Sequence, residues 1–280
     1  MRKSKLILVV PCYNEARRIP LNLFERFLSH HEDISVCFVD DGSTDSTHEM
    51  LATFVRRNIE SSCLVALPKN TGKAEAVRIG IREILQQVTS CLYIGYWDAD
   101  LATPLEQSVD FLTLIEGNSM ILAVIGSRWV HLGSHIERNF LRNVIGMMMA
   151  AIIASYLKLN LHDSQCGAKI FRAPIAREIF SVRFVSRWLF DVELFKRLKQ
   201  FLALQLKVNE TVIMNMYCRE VPLRCWRDVP DSKLHLSDSL KIFFELIRIA
   251  WSYRRGGKMN WATRAATRHD DGTVSVNAVF

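Results

Sequence analysis

No two of the seven cysteines stand at CxxC spacing, which removes the common thiolate metal sites from consideration. Their odd number and their scatter (Cys12, Cys37, Cys63, Cys91, Cys166, Cys218, Cys225) argue against a disulfide framework. Most lie in apolar runs, where a reduced cysteine behaves as a small hydrophobe. A reducing, cytoplasmic setting is therefore expected. There is no GxxxxGK[ST] frame for a P-loop and no GxGxxG for a dinucleotide. No apolar run reaches the ~18 residues of a membrane span. Leu6–Val10 is too short for a signal-peptide core and leads straight into Pro11. Internal repeats are absent.

What is present is a chain of 280 residues, 49% hydrophobic, long enough to bury a large core. Its net charge of +7 suits an anionic partner: a nucleotide, a nucleic acid or an acidic membrane surface. Apolar runs at Leu6–Val10, Val36–Val39, Cys63–Leu67, Leu92–Trp97 and Met120–Ile125 read as strands. Between them come amphipathic stretches: one through about Phe27, Ser46 to about Arg57 with Ser43 or Asp45 as its cap, Ala74 to about Gln87, and one from near Pro104. This alternation predicts a parallel sheet with helices on both faces.

In such sheets ligands bind outside the carboxyl ends of the strands. Asn14-Glu15, Asp40-Asp41, Asn70 to Lys73, Asp98 with Asp100, and Ser127-Arg128 all fall there. Taken singly, each is an ordinary polar loop. Asp98 and Asp100 stand at i and i+2 and leave the same side of an extended chain, which suits a hard divalent cation. Their plain alternative is a solvated loop with Asp100 near a helix cap before Pro104. Lys73 at a helix N-terminus suits a phosphate. Carboxylates at Asp40-Asp41 suit a ribose hydroxyl or a base N–H. Jointly the clusters describe a site for a nucleoside diphosphate and a metal.

Val10-Pro11-Cys12-Tyr13-Asn14-Glu15, Val39 to Asp45, Asn70-Thr71-Gly72-Lys73 and Asp98-Ala99-Asp100 resemble, in order and spacing, the motifs of family 2 glycosyltransferases of the GT-A fold. Gly126-Ser127-Arg128, Asp163 to Phe171, Arg187 to Leu194 and Glu220-Val221-Pro222 are similar to the dolichyl-phosphate β-glucosyltransferase branch. They are similar, more loosely, to polyprenyl-phosphate mannosyltransferases. The likeness spans roughly residues 5–255. It departs at the N-terminus, where the eukaryotic glucosyltransferases carry a membrane anchor. It departs from the mannosyl branch at Ala102, where that branch has a metal-reaching Gln.

The resemblance implies a Rossmann-like α/β GT-A domain and an inverting transfer of a hexose, glucose from UDP-glucose, to a polyprenyl phosphate. It implies Asp98 and Asp100 as ligands of Mg²⁺ or Mn²⁺, with Asp191 as the base if one is needed. Pro11, Tyr13, Asn14, Glu15, Asp40, Asp41, Lys73, Asp98, Ala99, Asp100, Gln165 and Lys169 would line the donor site. Arg128, Arg138 or Arg142 would hold the acceptor phosphate. The expected partners are a UDP-sugar, a polyprenyl phosphate and the cytoplasmic surface of a membrane, without nucleic acid; self-association is left open.

Three further segments bear on the membrane. Residues 138–160 contain the uncharged stretch Val144–Leu157, read either as core or as an interfacial helix. Arg187–Lys199 reads as a helix in which spacing does not decide between Asp191 and Glu193 as the acid facing the site. Leu236–Tyr253 is amphipathic, with Lys241, Glu245, Arg248 and Ser252 on a polar stripe and Leu240, Phe243, Phe244, Ile247 and Trp251 opposite. The expected organisation is a catalytic domain over 1–232, an amphipathic and membrane-associated helix over 233–255, and a mobile tail over 256–280. Rival functions are elongation of a surface glycan through a sugar hydroxyl, and nucleotide-sugar binding without catalysis.

Overall fold

β1 (Leu6–Cys12) and β2 (Ile34–Asp40) are buried along nearly their whole length. That is the signature of strands covered on both faces. The computed structural model describes residues 3–128, 135–137, 163–187, 189–206, 216–227, 239–255 and 277–279. Beyond β1 and β2, the sheet takes in β3 (Ser62–Ala66), β4 (Tyr93–Trp97), β5 (Ala123–Ser127), β7 (Ala168–Arg172), β8 (Cys218–Pro222) and β10 (Asn277–Val279). β6 (His135–Glu137) and β9 (Cys225–Arg227) pair separately, in parallel. The spatial order of the main sheet is β10-β3-β2-β1-β4-β7-β5-β8.

Alternate residues of each strand enter opposite layers. Ile7 and Val9 join one core with α3 (Lys73–Gln87), α5 (Ala173–Ile179), α6 (Phe190–Leu206) and α7 (Ser239–Arg255). Leu6, Leu8 and Val10 join the other with α1 (Leu21–His30), α2 (Thr47–Arg57) and α4 (Gln107–Gly117). Each buried side chain such as Ile7 or Phe38 stabilises the fold by ~1.5–3 kcal/mol. All seven cysteines are free thiols, and six are buried in these layers.

Two strands depart from the parallel arrangement that the alternation predicts. β7 lies antiparallel between β4 and β5. It enters at the carboxyl edge, so no crossover helix is needed, and Ala168 pairs with Trp97 beside the acidic pair. β10 pairs antiparallel with β3, so Asn277–Val279 belongs to the sheet and not to a mobile tail. The rest of 256–280, and the stretch 138–160 with Arg138 and Arg142, lie outside the described residues.

The C-terminal helix faces the core differently from its predicted stripes. Leu246 and Ile249 are buried, and Tyr253 packs against them. Glu245 does not point to solvent: it accepts a hydrogen bond from Ser186 Oγ. Phe244, Ile247 and Trp251 are 67%, 50% and 57% exposed. No helix among the described residues is long and apolar enough to cross a membrane.

Candidate active site

The loops at the carboxyl edge are tied to one another by side chains bonding backbone. After β1, Asn14 adopts a positive φ of 52°, which asparagine tolerates. Its N–H donates to Ser43 Oγ and its Oδ1 accepts from Thr44 N–H. Glu15 N–H donates to Thr47 Oγ1, and the Glu15 carboxylate is held by Arg18 at 2.6 Å. Asp45 Oδ1 accepts from Thr47 N–H and hydroxyl at the start of α2, so of the two expected caps Asp45 acts there. Asp40 is buried, accepting from Ser43 N–H and lying 2.9 Å from His48 Nδ1. Both its oxygens thus help to close the loop.

Asp41 builds the next loop. Its Oδ1 accepts from Thr71 N–H and hydroxyl at 2.7 Å, and its Oδ2 from Gly72 N–H at 2.8 Å. Burial raises its pKa, and these three donors offset only part of that rise. Gly72 precedes α3 with φ of 93°, a conformation that disfavours any side chain. The Arg187 guanidinium lies across it and donates to Asn70 Oδ1.

The acidic pair follows β4. Trp97 is fully buried and its indole N–H donates to Thr103 carbonyl, which anchors the loop's far end. Leu101, with φ of 50°, is the second non-glycine residue in the left-handed region among those described. A branched side chain there is strained, and such strain is held where surrounding contacts fix the loop. Asp100 Oδ1 accepts from Ala102 N–H. Burial, and then the neighbouring Asp98 charge, raise the Asp100 pKa. Lys73 Nζ stands 2.5 Å from Asp98 Oδ1. Gly167 abuts the same carboxylate so closely that a Cβ would lie 1.8 Å from Oδ2. Pro11 and Tyr13 at the end of β1 and the buried Ala99 belong to the same edge. Gln165, half-buried two residues before Gly167, does too.

Three residues expected to touch ligand are held by partners within the protein. Arg128 forks onto Asp163 with bonds of 2.6 and 2.8 Å, and its own N–H donates to the same carboxylate. Trp226 lies under the guanidinium. Although burial acts to raise the Asp163 pKa, Arg128 holds it down at about 2. Lys169 is fully buried and donates to Cys166 carbonyl at 2.6 Å and Asp191 Oδ1 at 2.7 Å. Tyr96 Oη donates to that same oxygen. Asp191 is therefore the counter-charge of a buried ammonium; protonating it would leave Lys169 uncompensated. Glu193 turns the other way, accepting from Val185 and Ser186 N–H and Tyr253 Oη, with Arg197 at 3.7 Å. Residues i and i+2 on a helix diverge, and here Asp191 is the one on the side of the sheet edge.

Sequence reasoning missed Tyr96, Thr71, Thr47 and Glu220, whose carboxylate accepts from Asp163 N–H. A buried tyrosine needs a partner for its hydroxyl, so Tyr96 carried a signal. Thr71 and Glu220 stand inside recognised motifs but without an assigned role, and Thr47 carried no signal.

The sequence profile of glycosyl transferase family 2 matches residues 7–180. A dolichyl-phosphate beta-glucosyltransferase of Dictyostelium discoideum is 30% identical over 266 residues, covering 90% of this chain and 75% of that protein. One from Saccharomyces cerevisiae is 29% identical over 274 residues, with the coverage again 90% and 75%. Among solved structures, glucosyl-3-phosphoglycerate synthase of Mycobacterium tuberculosis was crystallised with Mn²⁺, uridine-diphosphate-glucose and phosphoglyceric acid. It aligns at a TM-score of 0.59 and 17% identity, covering 89% of this chain and 79% of that one. At that identity the likeness carries the fold, which is GT-A, as the sequence motifs imply.

Proposed function

Since the chain belongs to glycosyl transferase family 2 and is a glycosyltransferase, we propose that it moves glucose from UDP-glucose to a dolichyl-type polyprenyl phosphate, with inversion. The observation that carries this reading is the acidic pair after β4, set opposite Lys73 and the start of α3. Asp98 and Asp100 would hold Mg²⁺ or Mn²⁺. The residues fit: two carboxylates at the end of one strand, with burial and then the Asp98 charge raising the pKa of Asp100, on a loop seated against a glycine that leaves room for nothing larger. A cation there supplies Lewis acidity to the departing UDP.

The chain's own residues do the rest. Lys73 and the N-terminus of α3 bind the diphosphate. Asp41 Oδ2 receives one N–H and keeps acceptor capacity for a uridine N–H. Pro11, Tyr13, Asn14, Glu15 and Ala99 frame the nucleotide, and Gln165 meets the sugar. An acceptor phosphate with a second pKa of ~6 arrives already ionised and needs no base. A sugar hydroxyl needs a positioned carboxylate. Asp40, Asp41, Asp163, Asp191 and Glu193 are each engaged within the protein. That disfavours the rival reading of glycan elongation and supports a phosphate acceptor. Arg138 and Arg142 remain the proposed grips for that phosphate.

Residues 1–232 form the proposed catalytic domain. The exposed Phe244, Ile247 and Trp251 of α7 suit a membrane interface, which supports peripheral attachment at the cytoplasmic face. The test is incubation with labelled UDP-glucose, Mn²⁺ and dolichyl phosphate, followed by extraction into organic solvent. Label is expected in the lipid phase. Release of UDP with all label remaining in water would sink the lipid acceptor.

A further inference from the structure

Lys73 and Asp98 form an ion pair at the mouth of the site, with side chains 43% and 37% exposed. The ammonium stands 2.5 Å from Oδ1, an oxygen that a divalent cation on this pair would use. One donor leaves the oxygen a second lone pair, but an ammonium and a divalent cation on the same oxygen are positive charges at contact distance and repel. Among the described residues no group of three or more His, Cys, Asp or Glu side chains is placed to hold a metal. Two carboxylates alone leave most of a hard cation's coordination unfilled, and phosphate oxygens are its usual complement.

We propose that Lys73 is the placeholder for the metal: it neutralises Asp98 in the free protein and passes to the diphosphate when nucleotide and cation enter together. This rests on the reading of Asp98 and Asp100 as metal ligands. The movement asks little of the fold. The backbone at Gly72 stays fixed by Asp41, while the lysine stem, at the first residue of α3, turns about its own single bonds. Asp98 keeps a cation throughout, so its carboxylate does not face the incoming diphosphate bare. Metal and nucleotide must then bind cooperatively, and the coupling is reciprocal.

The test is Mn²⁺ titration, followed by the electron paramagnetic resonance of free Mn²⁺, on the full chain with and without UDP. Free wild-type protein is expected to bind Mn²⁺ weakly, and UDP to strengthen binding beyond what UDP alone achieves. Lys73→Met should bind Mn²⁺ about tenfold or more tightly without nucleotide, since a charge near contact is removed. The gain from UDP should shrink by a similar factor. Lys73→Arg, which keeps the charge, should resemble wild type. A folded Lys73→Met protein that binds Mn²⁺ no more tightly than wild type overturns the placeholder alone, provided wild type with UDP binds Mn²⁺. If wild type with UDP binds no more Mn²⁺ than UDP does by itself, the metal reading falls and takes the placeholder with it.

Discussion

At the carboxyl end of β4, Lys73 and Asp98 meet with side chains 43% and 37% exposed. On the same strand, two residues earlier, Tyr96 reaches into the closed layer between the sheet and α6, where Lys169 and Asp191 meet with side chains 0% and 8% exposed. Both are lysine–aspartate pairs from signature motifs, and both hold bonds of about the same length. The first is wet, loosely held and next to the acidic pair. The second is closed, with the remaining contacts of the ammonium going to a carbonyl and to the rings of Tyr96 and Phe195. An exposed pair is easily exchanged for a ligand. A buried pair is not, because each charge depends on the other for compensation. On the proposed reading, the exposed pair presents groups to ligand, while Lys169–Asp191, Arg128–Asp163 and Arg197–Glu193 hold the edge in shape.

The sharpest way to break this comparison is to alter one member of each class. Asp100→Asn should abolish turnover with the fold intact. Loss of a metal charge at the leaving group is expected to cost ~4 kcal/mol, about a thousandfold in rate. Near-normal turnover in saturating Mn²⁺, with an unchanged melting temperature, would contradict it. Lys169→Met should show the opposite pattern, a loss of stability of ~3–5 kcal/mol from the uncompensated Asp191. Adding Asp191→Leu should recover much of that loss in denaturant unfolding, because the second change removes the orphaned charge.

Arg128→Met comes next, with a loss of ~3 kcal/mol from a pair that is mostly buried. It should weaken donor and acceptor steps alike and show no selectivity for the acceptor. It also carries a pH signature. Asp163 titrates at about 2 in the folded chain, below the ~3.9 of an unfolded aspartate. Its contribution is therefore complete above about pH 4 and is lost as pH falls toward 2. In Arg128→Met that acid-limb segment of the stability curve should flatten. The smallest effect is expected on α7. Ile247→Glu with Trp251→Glu should change stability by no more than ~0.5 kcal/mol each, as exposed substitutions usually do. The pair should also release the protein from anionic liposomes. Ile249→Glu, on the buried side of the same helix, should unfold it.

Much of the parallel core was legible because both-face burial leaves unbroken apolar runs, and the polar strand ends fell where ligands bind. The strand β7 was not. Ala168–Arg172 holds only a short apolar core and sits inside a motif that resembles a ligand loop. Nor could Lys169 be placed. A lysine between two apolar residues reads as ligand-facing until its partner, 22 residues away, is known. Spacing erred on α7 for a similar reason: Glu245 leaves the polar stripe because Ser186, far off in sequence, takes its hydrogen bond. What periodicity reports is a helix's own faces; which face meets the core depends on partners from elsewhere in the chain.

The most direct measurement compares Asp191→Asn with wild type for two quantities together, melting temperature and turnover per folded molecule with a polyprenyl phosphate acceptor. If Asp191 is the counter-charge of Lys169 and the acceptor brings its own negative charge, the variant should lose stability. Its turnover per folded molecule should stay within about tenfold of wild type, less than the usual worth of a general base. A variant that melts like wild type, binds UDP normally and is as inactive as Asp100→Asn would make Asp191 a base and return the acceptor to a hydroxyl.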